Sequence, residues 1–214
     1  MTKINQGGRF ITLEGSEGCG KTTQSQALAE FLKQQGYDVL LTREPGGTAI
    51  GEQIREILGD RQNTTMHLRT EILLFQASRA QLVEEVIRPH LAHQGIVICD
   101  RYADSTLAYQ GYGYRRIPME QVRALVEFAI AGLQPDLTLL LDLDVQIGLR
   151  RRARGGEINR LDTYEIEFYQ RVRAGYLEMA RLQPERWVIV NAEPPFEVVQ
   201  AALRHLVLER LQRV

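Results

Sequence analysis

Directly after the short apolar run Phe10–Glu14, the sequence reads Gly15-Ser16-Glu17-Gly18-Cys19-Gly20-Lys21-Thr22, followed by Thr23. Every fixed position of the spacing GxxxxGK[ST] is filled, between an apolar run and a helical stretch. That pattern builds a loop whose backbone N–H groups wrap a phosphate chain, with the positive end of a helix behind it. Side chains at the glycine positions would obstruct the approach. Lys21 can reach the β- and γ-phosphates of a nucleoside triphosphate, and the Thr22 hydroxyl can ligate Mg²⁺. Gly15, Ser16, Glu17, Gly18, Cys19, Gly20, Lys21, Thr22 and Thr23 are the expected ATP-phosphate contacts. A strand, this loop and a helix in succession commit the chain to an α/β architecture.

Further along, the apolar runs Val39–Thr42, Ile96–Cys99, Leu137–Leu143 and Trp187–Val190 are near-continuous rather than alternating. Such runs suit strands covered on both faces. Between and after them lie helical stretches at Thr22–Gln35, Ile50 to His93 (split), Met119–Ala131, Val145–Arg154, Tyr164–Arg181 and Pro195–Arg213. This order predicts a five-stranded parallel sheet with helices on both faces and ligands beyond the carboxyl ends of the strands. Residues 1–214 read as one domain. Gly111–Pro118 reads as a loop, and Arg154–Arg160 as a flap within a lid segment at about 150–163.

Charge and cysteine usage narrow the function classes. The chain has 26 basic and 27 acidic residues, a net charge of −1, which argues against a general nucleic-acid binder. Cys19 and Cys99 form no CxxC and stand in no His/Cys cluster, as expected in a reducing compartment without a zinc site. Met1 to Gly8 is polar, and no apolar run approaches the ~20 residues needed to span a bilayer. A cytoplasmic protein without a membrane partner is the expectation.

No Asp has Gly three residues later, so the DxxG turn of a GTPase is missing. Asn159-Arg160-Leu161-Asp162 imitates a guanine-reading box, but it sits in the flap rather than after a strand. Ser16 and Glu17 offer no second lysine of the partition-ATPase kind. Small-molecule kinases remain.

Two more stretches sharpen this: Thr42-Arg43-Glu44-Pro45-Gly46-Gly47-Thr48, and Asp100-Arg101-Tyr102-Ala103-Asp104-Ser105 running on through Ala108-Tyr109-Gln110-Gly111. Together with the phosphate loop, Leu74-Phe75-Gln76-Ala77-Ser78-Arg79 and the arginine-rich flap, they resemble bacterial thymidylate kinases along nearly the whole chain. The resemblance implies the nucleoside monophosphate kinase fold, ATP and Mg²⁺ as co-substrate and cofactor, dTMP as acceptor, and a homodimer formed through helices. It further implies that Phe75 stacks on thymine, Arg79 hydrogen-bonds its O4, Gln110 reads the N3 edge and Ser105 lines the same wall. Glu17 would accept from the sugar 3′-hydroxyl, and Tyr109 and Tyr164 would crowd the 2′ position. Arg101 would hold the acceptor phosphate, and Arg43 and Pro45 would belong to an acceptor-side loop whose proline peptide is commonly cis.

The residues themselves leave some roles open. Phe75 and Arg79, four apart, share a helix face, and spacing alone makes one core and the other a surface charge. Asp100 could ligate Mg²⁺ directly or through water, or hold Arg101 or Lys21 in place. Gly18 supplies no charge to the phosphate loop, so the chain resembles the type whose catalytic arginine lies in the lid. Four arginines occur within residues 150–154, and Arg152, Arg154 and Arg160 are the candidates. Asn159-Arg160-Leu161-Asp162 departs from the family's DRxE, and Leu82 stands where relatives often have histidine. An acceptor phosphate with a second pKa near ~6 needs no strong general base. Lys21, Arg101, a lid arginine and Mg²⁺ would supply alignment and charge. The alternatives are a kinase for another nucleoside monophosphate, a deoxynucleoside or shikimate, and a non-catalytic nucleotide-binding module using the flap as its contact.

Overall fold

Each apolar run becomes a strand of one parallel sheet in the computed structural model, which describes residues 7–154, 160 and 164–212. The strands are β1 (Arg9–Glu14), β2 (Val39–Arg43), β3 (Ile96–Asp100), β4 (Leu137–Asp142) and β5 (Trp187–Asn191), in the spatial order β2-β3-β1-β4-β5. Side chains alternate across the sheet. Phe10 therefore joins one core with Val97, Cys99 and Leu140, while Ile11 and Leu13 join the other with Ile98, Leu139 and Leu141.

The second core is closed by α1 (Lys21–Gln34) and α9 (Phe196–Gln212), through Leu28, Leu32, Val199 and Leu203. The first core is closed by α3 (Leu68–Leu82), α6 (Met119–Ile130) and α8 (Ile166–Leu182). α3 runs through a π-helical turn, Val83–Ile87, into α4 (Arg88–Ala92). α5 (Ala103–Thr106) runs likewise into a π-helical segment, Leu107–Gly113. Two helices flank the site: α2 (Ala49–Gly59) and α7 (Val145–Arg154).

The helical segment Leu107–Gly113 corrects the start of the expected loop at Gly111–Pro118, while residues 114–118 are non-helical as expected. A Cβ on Gly113 would meet the Phe168 ring at 2.7 Å, and one on Gly175 would meet Tyr112 at 2.5 Å. These glycines let α8 lie close against the segment, and that packing outweighs the low helix propensity of glycine.

Topology fixes where ligands can bind. The chain leaves β1 toward β2 on one side and leaves β3 toward β4 on the other, so a crevice opens between the carboxyl ends of β1 and β3. Leu13 pairs with Asp100, and Arg101 N donates to Leu13 O at 3.0 Å. The phosphate loop after β1 and the Asp100-Arg101 pair at the end of β3 are thereby neighbours.

Candidate active site

On the donor side, Gly20 takes a left-handed conformation, φ 90°, and α1 starts at Lys21. The Lys21 ammonium sits inside the loop, donating to Gly15 O (3.0 Å), Ser16 O (2.8 Å) and Cys19 Sγ (3.4 Å). Thr22 Oγ1 donates to Asp100 Oδ2 at 2.5 Å, while Asp100 Oδ1 is buried without a partner. An orphaned carboxylate oxygen beside a threonine hydroxyl is a hard-oxygen pair that fits Mg²⁺. Among the described residues no group of three or more His, Cys, Asp or Glu could hold a metal. Phosphate oxygens and water would have to complete its shell.

Arg101 is the hinge between the two sides. Its φ of 70° lies in the left-handed region, unusual for a residue with a Cβ and typical of functional sites. Its Nη1 donates to Gly15 O (3.1 Å), Ser105 Oγ (3.3 Å) and Tyr176 OH (3.4 Å). Its Nη2 donates to Glu17 Oε1 (2.8 Å) and Tyr109 OH (3.1 Å), and the guanidinium lies 4.9 Å over the Tyr109 ring. Tyr109 OH also donates to Glu17 Oε1 at 2.8 Å. Burial would raise the Glu17 carboxyl, but Arg101, Lys21, Tyr109 and Arg152 together hold it below the usual range. Glu17 is an anion there, able to accept from a hydroxyl.

Beneath Arg101 lies a buried carboxylate that sequence reasoning missed. Glu14 accepts from Tyr102 N (2.8 Å), Ser105 Oγ (2.7 Å) and Tyr176 OH (2.9 Å). Burial first, and Asp104 second, push its pKa up to about 7. The Ser105 hydroxyl is thus committed to Glu14 and Tyr176. The signal was present in the sequence: a glutamate closing an otherwise apolar strand must be buried and needs partners.

The wall expected to face the acceptor is built on α3, where Glu71, Phe75 and Arg79 follow at intervals of four and share a face. Arg79 is no surface charge. It is 1% exposed, and its five donors go to Glu44 (2.9 and 2.6 Å), Gln76 (2.5 Å), Thr106 (3.0 Å) and Tyr102 O (3.1 Å). A contact to a base would have to share or displace one of these bonds. Phe75 is half-buried. Gln110 Nε2 donates to Glu71 Oε1 at 3.0 Å. Tyr164 is half-buried, stacked on Phe168 at 4.2 Å and hydrogen-bonded to Tyr114.

The Glu44–Pro45 peptide is cis. Arg55, also missed, donates to Pro45 O at 2.8 Å, and Arg43 pairs with Glu52 at 2.8 Å on the surface. Burial, then Arg43, lowers the Arg55 pKa. Arg55 lies four residues after buried Gly51 and three before buried Leu58. Its side chain is exposed beside that buried stripe, with its head group on the carbonyl of the cis proline.

The arginine segment divides by position. Asp144 Oδ1 accepts from Gln146 N and Ile147 N, capping the first turn of α7. One turn on, Gly148 touches the phosphate loop: a Cβ on Gly18 would stand 1.9 Å from Gly148 O, and one on Gly148 would stand 2.3 Å from Glu17 O. Gly18, at φ 69°, is left-handed as well as crowded, so no side chain fits there. Arg152, four residues after Gly148, shares the face that meets the loop and is among the charges acting on Glu17. Arg154 is exposed. Arg160 is turned to α3 instead, donating to Glu71 Oε2 (2.8 Å) and Leu58 O (2.9 Å). The rest of the flap, 155–159 and 161–163, lies outside the described residues.

Arg151 donates to Ala192 O and Glu193 O, each at 2.9 Å. It thereby walls a cavity of about 460 Å³ with Cys19, Gly20, Gln24, Pro195 and Phe196. Nothing in the sequence patterning singled out this cavity, because its walls come from three distant segments.

A sequence-family profile described as thymidylate kinase matches residues 13–203. The thymidylate kinase of Roseiflexus sp. is 49% identical over 202 residues, covering 89% of each chain. That of Exiguobacterium sp. is 46% identical over 206 residues, covering 96% of this chain and 97% of its own. Among solved structures, the thymidylate kinase of Ehrlichia chaffeensis superposes with a TM-score of 0.77 at 34% identity, covering 94% of this chain and 99% of that one.

Proposed function

The chain belongs to the thymidylate kinase family, and on that premise we propose how its residues share the transfer of the γ-phosphoryl group of ATP to dTMP, giving dTDP and ADP. The observation that carries this reading is the meeting of the Lys21 phosphate loop with the Arg101–Glu17–Tyr109 cluster at the ends of β1 and β3.

The loop backbone and Lys21 hold the β- and γ-phosphates of ATP. Thr22 and Asp100 would hold Mg²⁺, which supplies charge neutralisation between the phosphates when bound. The base of ATP occupies the cavity beside Arg151, which adjoins the loop at Cys19 and Gly20.

On the acceptor side Glu17 accepts from the 3′-hydroxyl, and Tyr109 and Tyr164 crowd the 2′ position and favour deoxyribose. Arg101 grips the acceptor phosphate, with Ser105, Tyr176 and Glu14 as its floor. Arg43, Arg55 and Pro45 border the same phosphate. Phe75 stacks on the pyrimidine, Gln110 accepts from its N3–H, and Arg79 offers a shared N–H to O4. Of the three lid candidates, Arg152 is the catalytic arginine. The Gly18–Gly148 contact seats its helix on the phosphate loop, whereas Arg160 is bound to Glu71 and Arg154 is exposed.

Two identical chains pair in this proposal. Ile50 and Ile57 on α2, Leu73 on α3 and Phe128 on α6 are exposed apolar side chains on helices that pack together, the kind of surface a second copy would cover. The chain works as one unit, 1–214, in the reducing cytoplasm, where its buried cysteines stay as thiols. Among the described residues no helix is long and apolar enough to cross a membrane.

ADP release from ATP–Mg²⁺ measured against dTMP, dUMP, dCMP, UMP, AMP and shikimate tests the acceptor. Turnover is expected to be fastest with dTMP; faster turnover with any other acceptor contradicts the assignment.

A further inference from the structure

Glu71 is 2% exposed and is pinned at both carboxylate oxygens. Oε1 accepts from Gln110 Nε2 at 3.0 Å, and Oε2 accepts from Arg160 Nη2 at 2.8 Å and lies 3.5 Å from Tyr114 OH. None of these bonds follows from the reaction itself, since Glu71 belongs to neither the phosphate loop nor the Arg101 cluster. What it does follow from is the chemistry of an amide. The side chain of Gln110 carries two donors on nitrogen and an acceptor oxygen, and the two ends exchange by a half-turn about one bond. A carboxylate paired with a guanidinium has acceptors only, so it can face Nε2 and not Oε1.

We propose that Glu71 is the positioning residue that sets pyrimidine specificity: by holding Gln110 Nε2, it leaves Oε1, an acceptor, as the atom offered to the base. This rests on the assignment of Gln110 to the N3 edge. Among the described residues Gln110 Oε1 receives no hydrogen bond, so the acceptor remains available. Thymine and uracil carry a proton on N3 and are accepted. Cytosine has a lone pair on N3, which would face Oε1 lone pair to lone pair, and the mismatch leaves two acceptors unpaired in a confined site. Phe75 and Arg79, on the same face of α3 as Glu71, stack on the base and donate to position 4, so Arg79 disfavours the cytosine amino group in wild type and variant alike, but neither fixes the amide. With an amide at position 71, Nε2 no longer has an obligatory partner, Gln110 can turn over, and its NH₂ can donate to cytosine N3.

The test compares kcat/KM for dTMP, dUMP and dCMP in the wild type, Glu71→Gln, Glu71→Asp and Gln110→Leu. For Glu71→Gln the dCMP:dTMP ratio should rise by about tenfold or more, because one mismatched hydrogen bond in a confined site is worth that much. The dUMP:dTMP ratio should stay put, since both bases present N3–H. Glu71→Asp keeps an acceptor-only group and should keep the wild-type dCMP:dTMP ratio. Each ratio is taken on one preparation and is independent of the folded fraction. If Glu71→Gln yields no folded enzyme, Glu71→Gln/Arg160→Gln removes both charges of the buried pair and is read on the same ratio.

A dCMP:dTMP ratio within about twofold of wild type in the glutamine variant, with Gln110→Leu raising KM for dTMP, overturns the role of Glu71 alone. If Gln110→Leu changes neither the KM for dTMP nor the ratio, Gln110 does not read N3, and the inference falls with that assignment.

Discussion

The donor and acceptor sides of this site are built by different means. The donor side is made of backbone: glycines, the first turn of α1 and a lysine folded back on loop carbonyls. The acceptor side is made of buried side chains drawn from distant segments, held by the pairs Arg79–Glu44, Arg160–Glu71 and Arg101–Glu17. A backbone site tolerates almost no change of residue type where it is crowded, yet it needs few long-range partners. A side-chain site can be retuned one residue at a time, but each buried charge is destabilising once its partner is lost. Phosphates are common to all nucleotide donors, whereas the acceptor must be distinguished from close relatives, so the two constructions match their tasks.

The largest effect is expected at Gly18, where the backbone-built side is most crowded. Gly18→Ala puts a Cβ 1.9 Å from Gly148 O and forces α7 off the loop. We expect kcat to fall by about 10³-fold, because the lid arginine moves with the helix. A steady-state assay with dTMP checks this.

Next is the buried pair on the acceptor side. Glu44→Gln leaves the Arg79 charge, 1% exposed, without its counter-charge. The cost should be about 3–5 kcal/mol in urea unfolding. Glu14 comes third. Its pKa, raised from 4.5 to about 7, means that the folded state keeps a proton the unfolded state has lost. The stabilisation is therefore full below pH 4.5 and fades as pH rises toward 7, by about 3 kcal/mol at 1.36 kcal/mol per pH unit. Glu14→Gln should flatten that fall in a pH series of unfolding curves. The smallest effect marks the contrast with exposed pairs: Glu84→Gln breaks the surface Arg88–Glu84 bridge and should change stability by ~0.5 kcal/mol or less.

The same division explains what could be read in advance. All five strands were legible to within a residue or two, because a strand buried on both faces must be a continuous apolar run. The phosphate loop was legible because its chemistry needs fixed residue types within eight positions. Glu14, Glu71, Arg151 and Tyr176 were not singled out, because their partners lie dozens of residues away; Arg55 was missed although its partner, Pro45, is only 10 residues distant. Gly111–Gly113 misled for the reason opposite to Gly18. Local propensity argued for a loop, and close packing of α8 through Gly113 and Gly175 decided for a helix. Spacing alone makes Arg79 a surface charge, against the base contact the resemblance implies, because burying an arginine is costly unless it is paired, and Glu44 lies 35 residues away.

In the proposed mechanism the helix seated on Gly18 delivers the arginine the phosphate loop lacks. Separate Arg152→Ala, Arg154→Ala and Arg160→Ala variants, assayed for kcat by ADP release with saturating ATP–Mg²⁺ and dTMP, test it directly. Arg152→Ala should lose about 10³-fold or more in kcat, and the other two variants far less. A loss under about tenfold for Arg152, or an equal loss at Arg160, would contradict it.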